Sequence, residues 1–168
     1  MTVLHIGQPA PLFTLEDLEG RPISLADFRG RLTLVNFWSA ECPWVERADR
    51  ALVQWRDRAA LISIACNANE PLDLLRQAAQ ERGLPWVLRD PDQQVADLYG
   101  AVTTPHIFLI DAHGLLRYQG AFDDVSFRQR TPTRTYIYEA IEALHAGLPV
   151  PIPETLSYGC TIVRSFAS

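Results

Sequence analysis

A largely apolar run that ends just before a Cys-Pro step constrains the fold of this chain more than any other feature. The run covers residues 32–38, and its length and hydrophobicity are typical of a buried strand. Cys42-Pro43 follows, and proline is favoured in the first turn of a helix. A helix N-terminus stabilises a thiolate through its unpaired N–H groups and its dipole. The sequence therefore predicts a reactive Cys42 at a strand-to-helix corner, with a buried structural cysteine as the alternative.

Predicted strands and helices alternate along the rest of the chain. Further short apolar runs predict strands at residues 61–66, 85–88, 107–110 and 115–118, with a possible earlier pairing at residues 23–28. Helical periodicity after Cys42 and end signals predict further helices at residues 72–82, 92–99 and 135–145. This order predicts an α/β fold with a central mixed β-sheet flanked by helices on both faces.

The length and the net charge of the chain limit its number of domains and the kinds of partner that it binds. With 168 residues, one domain is expected over 1–148, with an N-terminal extension, followed by a proline-rich C-terminal arm over 149–168 that carries Cys160. The net charge of −5 disfavours binding to nucleic acid or to an anionic membrane surface. Without an apolar run that could span a bilayer or a basic leader, we expect a cytoplasmic protein, and export of a longer precursor stays open.

The three cysteines are isolated from one another in the sequence. Their spacing fits neither a zinc site nor a disulfide scaffold, so we expect no metal and no other cofactor. Cys66, at a predicted strand end, is more easily explained as a small core residue than as a redox partner. The arm is long enough to return Cys160 to Cys42 if it is extended, and an inert surface thiol is the alternative.

Several motifs carry a family resemblance over nearly the whole chain. They are Gly7-Gln-Pro-Ala-Pro-Leu-Phe13, Val35-Asn-Phe-Trp38 ahead of Cys42-Pro43, and Thr104-Pro105 ahead of Phe108-Leu-Ile-Asp111. Together they resemble the thioredoxin-fold redoxin superfamily of the AhpC/TSA type. A peroxiredoxin-like, TlpA-like branch is most similar, through Cys42-Pro-Trp-Val45, Arg117-Tyr-Gln-Gly-Ala-Phe-Asp-Asp124 and Gly159-Cys-Thr-Ile162.

The resemblance implies a thioredoxin-like fold and a thiol-dependent oxidoreductase with Cys42 as its nucleophile. Ser39 and backbone N–H groups would stabilise the sulfur anion. Cys160 would resolve oxidised Cys42, with Cys66 as the second choice. Four residues would form the substrate groove, with a cis peptide bond between the last two: Pro43, Trp44, Thr104 and Pro105.

Three departures from the family pattern limit what the resemblance implies. Val45 replaces the second cysteine of thioredoxins, Asn36 replaces their buried aspartate, and Val35 replaces a proline of typical peroxiredoxins. A thiol nucleophile is thus implied more firmly than an antioxidant peroxidase. We expect a peroxide or a protein disulfide as substrate and a thioredoxin-type thiol reductant as partner. The alternative is a non-catalytic binding module or a redox sensor.

Overall fold

Strands and helices alternate through residues 3–165, the part of the chain that this computed structural model describes. The strands are β1 (Thr14–Asp17), β2 (Pro22–Ser24), β3 (Thr33–Trp38), β4 (Ala60–Ala65), β5 (Trp86–Arg89), β6 (Thr103–Thr104), β7 (His106–Ile110), β8 (Leu116–Gly120) and β9 (Cys160–Thr161). The α-helices are α1 (Pro43–Leu52), α2 (Leu72–Arg82), α3 (Gln94–Tyr99) and α4 (Tyr136–His145). Short 3-10 helices cover Leu25–Phe28 and Val53–Trp55.

The predicted apolar strand lies inside the main sheet. Seven strands form this sheet in the order β2-β1-β5-β4-β3-β7-β8. Every residue of β3 is buried, and β3 pairs in parallel with β4 and antiparallel with β7. The sheet is therefore mixed, as predicted, and the carboxyl ends of β3 and β4 lie at the same edge.

Helices cover both faces of this sheet, as the alternating pattern predicts. Leu34 and Trp38 of β3 pack on the face covered by α1, α2 and α4. Val35 and Phe37 point to the opposite face, where α3 contributes Tyr99. Together with the sheet order, this layering is the thioredoxin-like α/β arrangement that the family resemblance implies.

Among the element boundaries that differ from the prediction, two have clear local reasons. β2 ends at Ser24, because the chain then turns into a 3-10 helix instead of continuing as a strand. Helix α3 begins at Gln94, because Gln93 adopts a left-handed conformation with a φ of 56°. The Asp90 carboxylate accepts hydrogen bonds from N–H groups of the first helical turn, which fixes the later start.

The C-terminal arm packs back on the domain that precedes it. Thr155 accepts a hydrogen bond from the Ala121 N–H at 2.9 Å, beyond the end of β8. Further along, β9 pairs antiparallel with β6, and Ile162 is buried in the core. The proline-rich part is neither helix nor strand, as predicted, and it brings Cys160 to the sheet edge at which β3 ends. No helix within residues 3–165 is long and apolar enough to cross a membrane.

Candidate active site

Cys42 lies at the strand-to-helix corner that the sequence predicts. It is the N-cap residue of α1, and Pro43 occupies the first turn. The Cys42 side chain is buried, while its carbonyl accepts a hydrogen bond from the Glu46 N–H at 3.1 Å. The corner thus places Cys42 at the N-terminal end of the helix, where the helix dipole favours a negative charge.

The loop before β7 forms one wall around this sulfur. The Thr104–Pro105 peptide bond is cis, as expected. The Cys42 Sγ lies 3.2 Å from the Thr104 carbonyl oxygen. A reduced Cys42 thiol would be placed to donate a hydrogen bond to that carbonyl, so this loop contacts the reacting atom directly.

Cys160 is joined to Cys42 by a disulfide bond. The two Cα atoms are 6.2 Å apart, although 118 positions separate the residues in the sequence. β9 supplies this geometry, because Cys160 is the register partner of Thr104 in β6. The structure therefore brings together Cys42, Thr104 and Cys160.

Cys66 is placed differently from the other two cysteines. It follows β4, at the predicted sheet edge, but it is fully buried and forms no disulfide with Cys42 or Cys160. Burial, with a smaller contribution from the nearby Asp90 carboxylate, raises the pKa of the Cys66 thiol to about 12. A thiol that stays protonated is a poor nucleophile, so these surroundings favour the structural interpretation.

Ser39 is held by a carboxylate that the sequence analysis did not identify. Its hydroxyl donates a hydrogen bond to Glu70 and accepts one from the Glu41 N–H at 3.3 Å. Glu70 also accepts from the Ala40 N–H at 2.7 Å and from the Asn67 side chain at 2.9 Å. The hydrogen bonds of the Ser39 hydroxyl thus shape the loop before Cys42, and its contact with a sulfur anion stays a prediction.

A buried ion pair supports the other side of the same loop. Arg82, at the end of α2, donates a hydrogen bond to the Ala40 carbonyl at 2.6 Å and lies 3.0 Å from the Asp49 carboxylate. Trp38 Nε1 donates to the same carboxylate at 2.7 Å. Burial raises the pKa of Asp49 to about 6, against the opposing hydrogen bonds from Trp38 and Arg82.

Aromatic side chains form the rim of the site. Trp44 is half-buried and meets the Tyr158 ring edge-to-face, with 5.0 Å between the ring centroids. Pro43 is exposed, and Pro105 is buried beside the cysteines. Two of the predicted groove residues, Trp44 and Pro105, line a small cavity together with Tyr158 of the arm.

The residues that sequence reasoning missed share one property. Glu70 and Arg82 contact the loop before Cys42 from parts of the chain that are remote in sequence. One signal was available for Glu70, because the polar segment Asn67-Ala-Asn-Glu70 follows β4 at the same edge as the end of β3. Within residues 3–165, no group of three or more His, Cys, Asp or Glu side chains is arranged to hold a metal ion.

Comparisons with known proteins agree with this geometry. The AhpC/TSA family profile matches residues 6–119, which ends before the arm. The chain is 33% identical over 120 residues to the thiol-disulfide oxidoreductase ResA of Geobacillus thermodenitrificans, covering 69% of each protein. It is 29% identical over 142 residues to the thiol:disulfide interchange protein DsbE of Vibrio cholerae, covering 82% of this chain and 76% of that one.

Two solved structures are similar to this chain over almost its whole length, including the arm. A hypothetical protein of Sinorhizobium meliloti superposes with a TM-score of 0.86 at 29% identity, covering 99% of this chain and 98% of that one. An uncharacterized conserved protein of Geobacillus kaustophilus gives a TM-score of 0.87 at 26% identity, covering 99% and 96%. The match over residues 6–119, with these relatives and the cysteine geometry, shows that the chain belongs to the AhpC/TSA family of thioredoxin-fold redoxins.

Proposed function

We propose that this thiol-dependent oxidoreductase reduces disulfide bonds in proteins, with Cys42 as the attacking thiol and Cys160 as the resolving thiol. The Cys42–Cys160 disulfide is the single observation that carries this proposal, because it is the product that such a reaction leaves on the enzyme. Relatives named thiol-disulfide oxidoreductases support a disulfide as the substrate.

The reaction transfers two electrons in two exchange steps. The Cys42 thiolate attacks one sulfur of the substrate disulfide, and the other substrate sulfur leaves as a thiolate. The Cys160 thiolate then attacks the Cys42 sulfur, which releases the second substrate thiol and forms the Cys42–Cys160 disulfide. A dithiol partner of the thioredoxin type would reduce that disulfide and become oxidised itself.

The residues around Cys42 mainly position its sulfur and contribute less to acid–base chemistry. The helix start stabilises the thiolate, and the Thr104 carbonyl lies against the sulfur. Glu70 and Arg82 hold the loop through Ala40. Trp44 and Pro105 would contact the polypeptide that carries the substrate disulfide.

Peroxide reduction is the second candidate, and the AhpC/TSA family match favours it. Attack of the Cys42 thiolate on a peroxide oxygen would give a sulfenic acid, and condensation with Cys160 would release water and form the same disulfide. The two candidates therefore share a product and differ in the electrophile that Cys42 attacks.

Three cysteine variants test the proposal, with a disulfide-bonded protein such as insulin and hydrogen peroxide as separate oxidants. We expect Cys42→Ser to be inactive, Cys160→Ser to accumulate a mixed disulfide with the protein substrate, and Cys66→Ser to behave as wild type. Mass spectrometry of the trapped species gives the readout. Release of both substrate thiols by reduced Cys160→Ser in a single turnover without added thiols, at the wild-type rate, contradicts the resolving role. Faster oxidation by peroxide than by protein disulfides favours the second candidate.

A further inference from the structure

The short strand that pairs with β6, whose Thr104 carbonyl lies against Cys42, belongs to the chain's own arm. β6 and β9 form a separate two-stranded sheet, with Thr103 opposite Thr161 and Thr104 opposite Cys160. Backbone pairing of this kind recognises an extended peptide without regard to most of its side chains. The main-chain pairing with β6 therefore places the cysteine of any segment in the position of β9 beside Cys42.

Gly159 approaches the opposing backbone too closely for any other residue. A Cβ atom at this position would lie 2.1 Å from the Thr104 carbonyl oxygen and 2.7 Å from its carbonyl carbon. It would also lie 2.9 Å from the Pro105 Cδ. These atoms belong to the main chain and to a proline ring, which cannot rotate away as a flexible side chain does. A residue with a Cβ would have to displace the whole segment and its cysteine.

The residue before the glycine has an aromatic neighbour. Tyr158 packs edge-to-face against Trp44, and both rings line the small cavity beside Pro105 and Phe122. Such pairs favour an aromatic residue at this place. The arm thus presents the order aromatic, glycine, cysteine to the site.

From these contacts we propose that Tyr158-Gly-Cys160 occupies the binding groove of the substrate peptide, and that the groove selects substrates with glycine immediately before the reactive cysteine. The proposal rests on the proposed function, since it requires Cys42 to exchange with peptide disulfides. The arm is then an internal copy of the substrate, and it competes with external peptides for β6 and Pro105.

The test uses full-length Cys160→Ser protein with reduced Cys42 and extended peptides that differ only before their single cysteine. The peptides carry Tyr-Gly-Cys-Thr, Tyr-Ala-Cys-Thr or Tyr-Val-Cys-Thr, each with the cysteine in a mixed disulfide with 2-nitro-5-thiobenzoate. The Cys42 thiolate attacks the peptide sulfur, forms a Cys42–peptide disulfide and expels the coloured thiolate with the electron pair of the broken bond. The serine arm competes equally with all peptides, so the ratio of rates is the readout.

We expect the glycine peptide to react about tenfold or more faster than the alanine peptide, because steric overlap at this position displaces the cysteine. The peptides' rates with free glutathione correct for their intrinsic reactivity. If the corrected rates of all three peptides agree within about twofold, the proposal is overturned.

A small aromatic disulfide, 5,5′-dithiobis(2-nitrobenzoate), separates the two possible failures. Rapid reaction of this reagent with Cys42 but no preference among peptides overturns the groove and leaves the nucleophile intact. No reaction of Cys42 with the reagent or with any peptide overturns the groove and the proposed function together. Cys42→Ser/Cys160→Ser protein gives the background rate.

A second measurement tests the close approach of Gly159 to Thr104 within the protein's own arm. Gly159→Ala is expected to lower the fraction of protein with the Cys42–Cys160 disulfide at a fixed ratio of glutathione to glutathione disulfide. Leu156→Ala is the matched control, because Leu156 is in the same arm and the residue is 92% exposed. Equal disulfide fractions in wild type, Gly159→Ala and Leu156→Ala overturn the close-approach argument.

Discussion

The Ala40 peptide unit is held from both sides, two residues before Cys42. Its N–H donates to Glu70 at 2.7 Å, and its carbonyl accepts from Arg82 at 2.6 Å. Alanine offers no side-chain contact of this kind, so the main chain itself is the anchored group. Charged partners strengthen both hydrogen bonds, and the geometry of the loop before Cys42 depends on them.

Glu70→Ala should loosen this loop. We expect a loss of about 1–3 kcal/mol in unfolding free energy, because the Ala40 N–H and the Ser39 hydroxyl lose their acceptor. We also expect about tenfold slower reaction of Cys42 with a small disulfide, since a misplaced group reacts poorly. Urea unfolding and stopped-flow absorbance measure the two effects.

Rescue distinguishes positioning from a purely structural effect at Glu70. Glu70→Gln keeps an acceptor oxygen for the Ala40 N–H, so it should recover most of the Cys42 rate. Glu81→Ala is the control, because Glu81 is exposed and, within residues 3–165, its carboxylate accepts a side-chain hydrogen bond only from Gln77. An unchanged Cys42 rate in Glu70→Ala would show that the loop does not need this carboxylate.

At the scale of elements, α1 and α2 are joined by an ion pair that neither helix could form alone. Asp49 is fully buried in α1, and Arg82 is 11% exposed at the last turn of α2. One Asp49 oxygen has no hydrogen-bond partner within residues 3–165. The pair therefore carries a large desolvation cost, and removal of either partner leaves a buried charge.

Arg82→Met should destabilise the protein by about 3–5 kcal/mol at pH 8, because it leaves the Asp49 carboxylate unpaired. Burial raises the pKa of Asp49 to about 6, so the protonated form is favoured in the fold. A raised carboxyl pKa means that stability is lost as pH rises through the folded value. At pH 5 the Asp49 carboxyl is mostly protonated, so the loss of Arg82 leaves little unpaired charge. The destabilisation caused by Arg82→Met should therefore be smaller at pH 5 than at pH 8.

The control for this ion pair is an exposed pair on one helix. Arg50 lies 2.9 Å from Glu46, with 77% of the arginine side chain exposed. Arg50→Met should cost no more than about 0.5 kcal/mol at either pH. Chemical denaturation at both pH values measures all variants, and equal effects of Arg82→Met at pH 5 and pH 8 would contradict the charge argument.

At the scale of the whole molecule, the disulfide ties the arm covalently to the end of the strand-to-helix corner. It closes a loop over 118 positions, and the arm is otherwise held by β9, Ile162 and a few hydrogen bonds. One of these bonds runs from the Val163 N–H to the Asn67 side chain, which in turn contacts Glu70. The arm thus touches the same network that holds the loop before Cys42.

Reduction should lower the unfolding free energy by up to about 4–5 kcal/mol, since a disulfide across a loop of this length restricts the unfolded chain. Amide exchange in residues 159–163 should accelerate, and exchange in β3 much less. Thermal unfolding and hydrogen exchange with and without a reductant measure these changes. Cys160→Ser should show no response to the reductant, and a reduced wild type with fully protected arm amides would refute a releasable arm.

Local patterns in the sequence determined the alternation of elements, the buried β3 and the Cys42-Pro43 corner. Each of these depends on periodicity or on neighbouring residues, which a sequence displays directly. The resemblance to the redoxins also led to the expected cis bond at Pro105, which the structure contains.

Only the tertiary structure decided which groups meet Cys42. The sequence left Cys66 and Cys160 as alternatives, and sheet order and the path of the arm place Cys160 beside the nucleophile. Ser39 and Glu70 are 31 positions apart, and Ala40 and Arg82 are 42 apart. Contacts of this range depend on how strands are ordered and how helices pack over them, and no local pattern encodes that arrangement by itself.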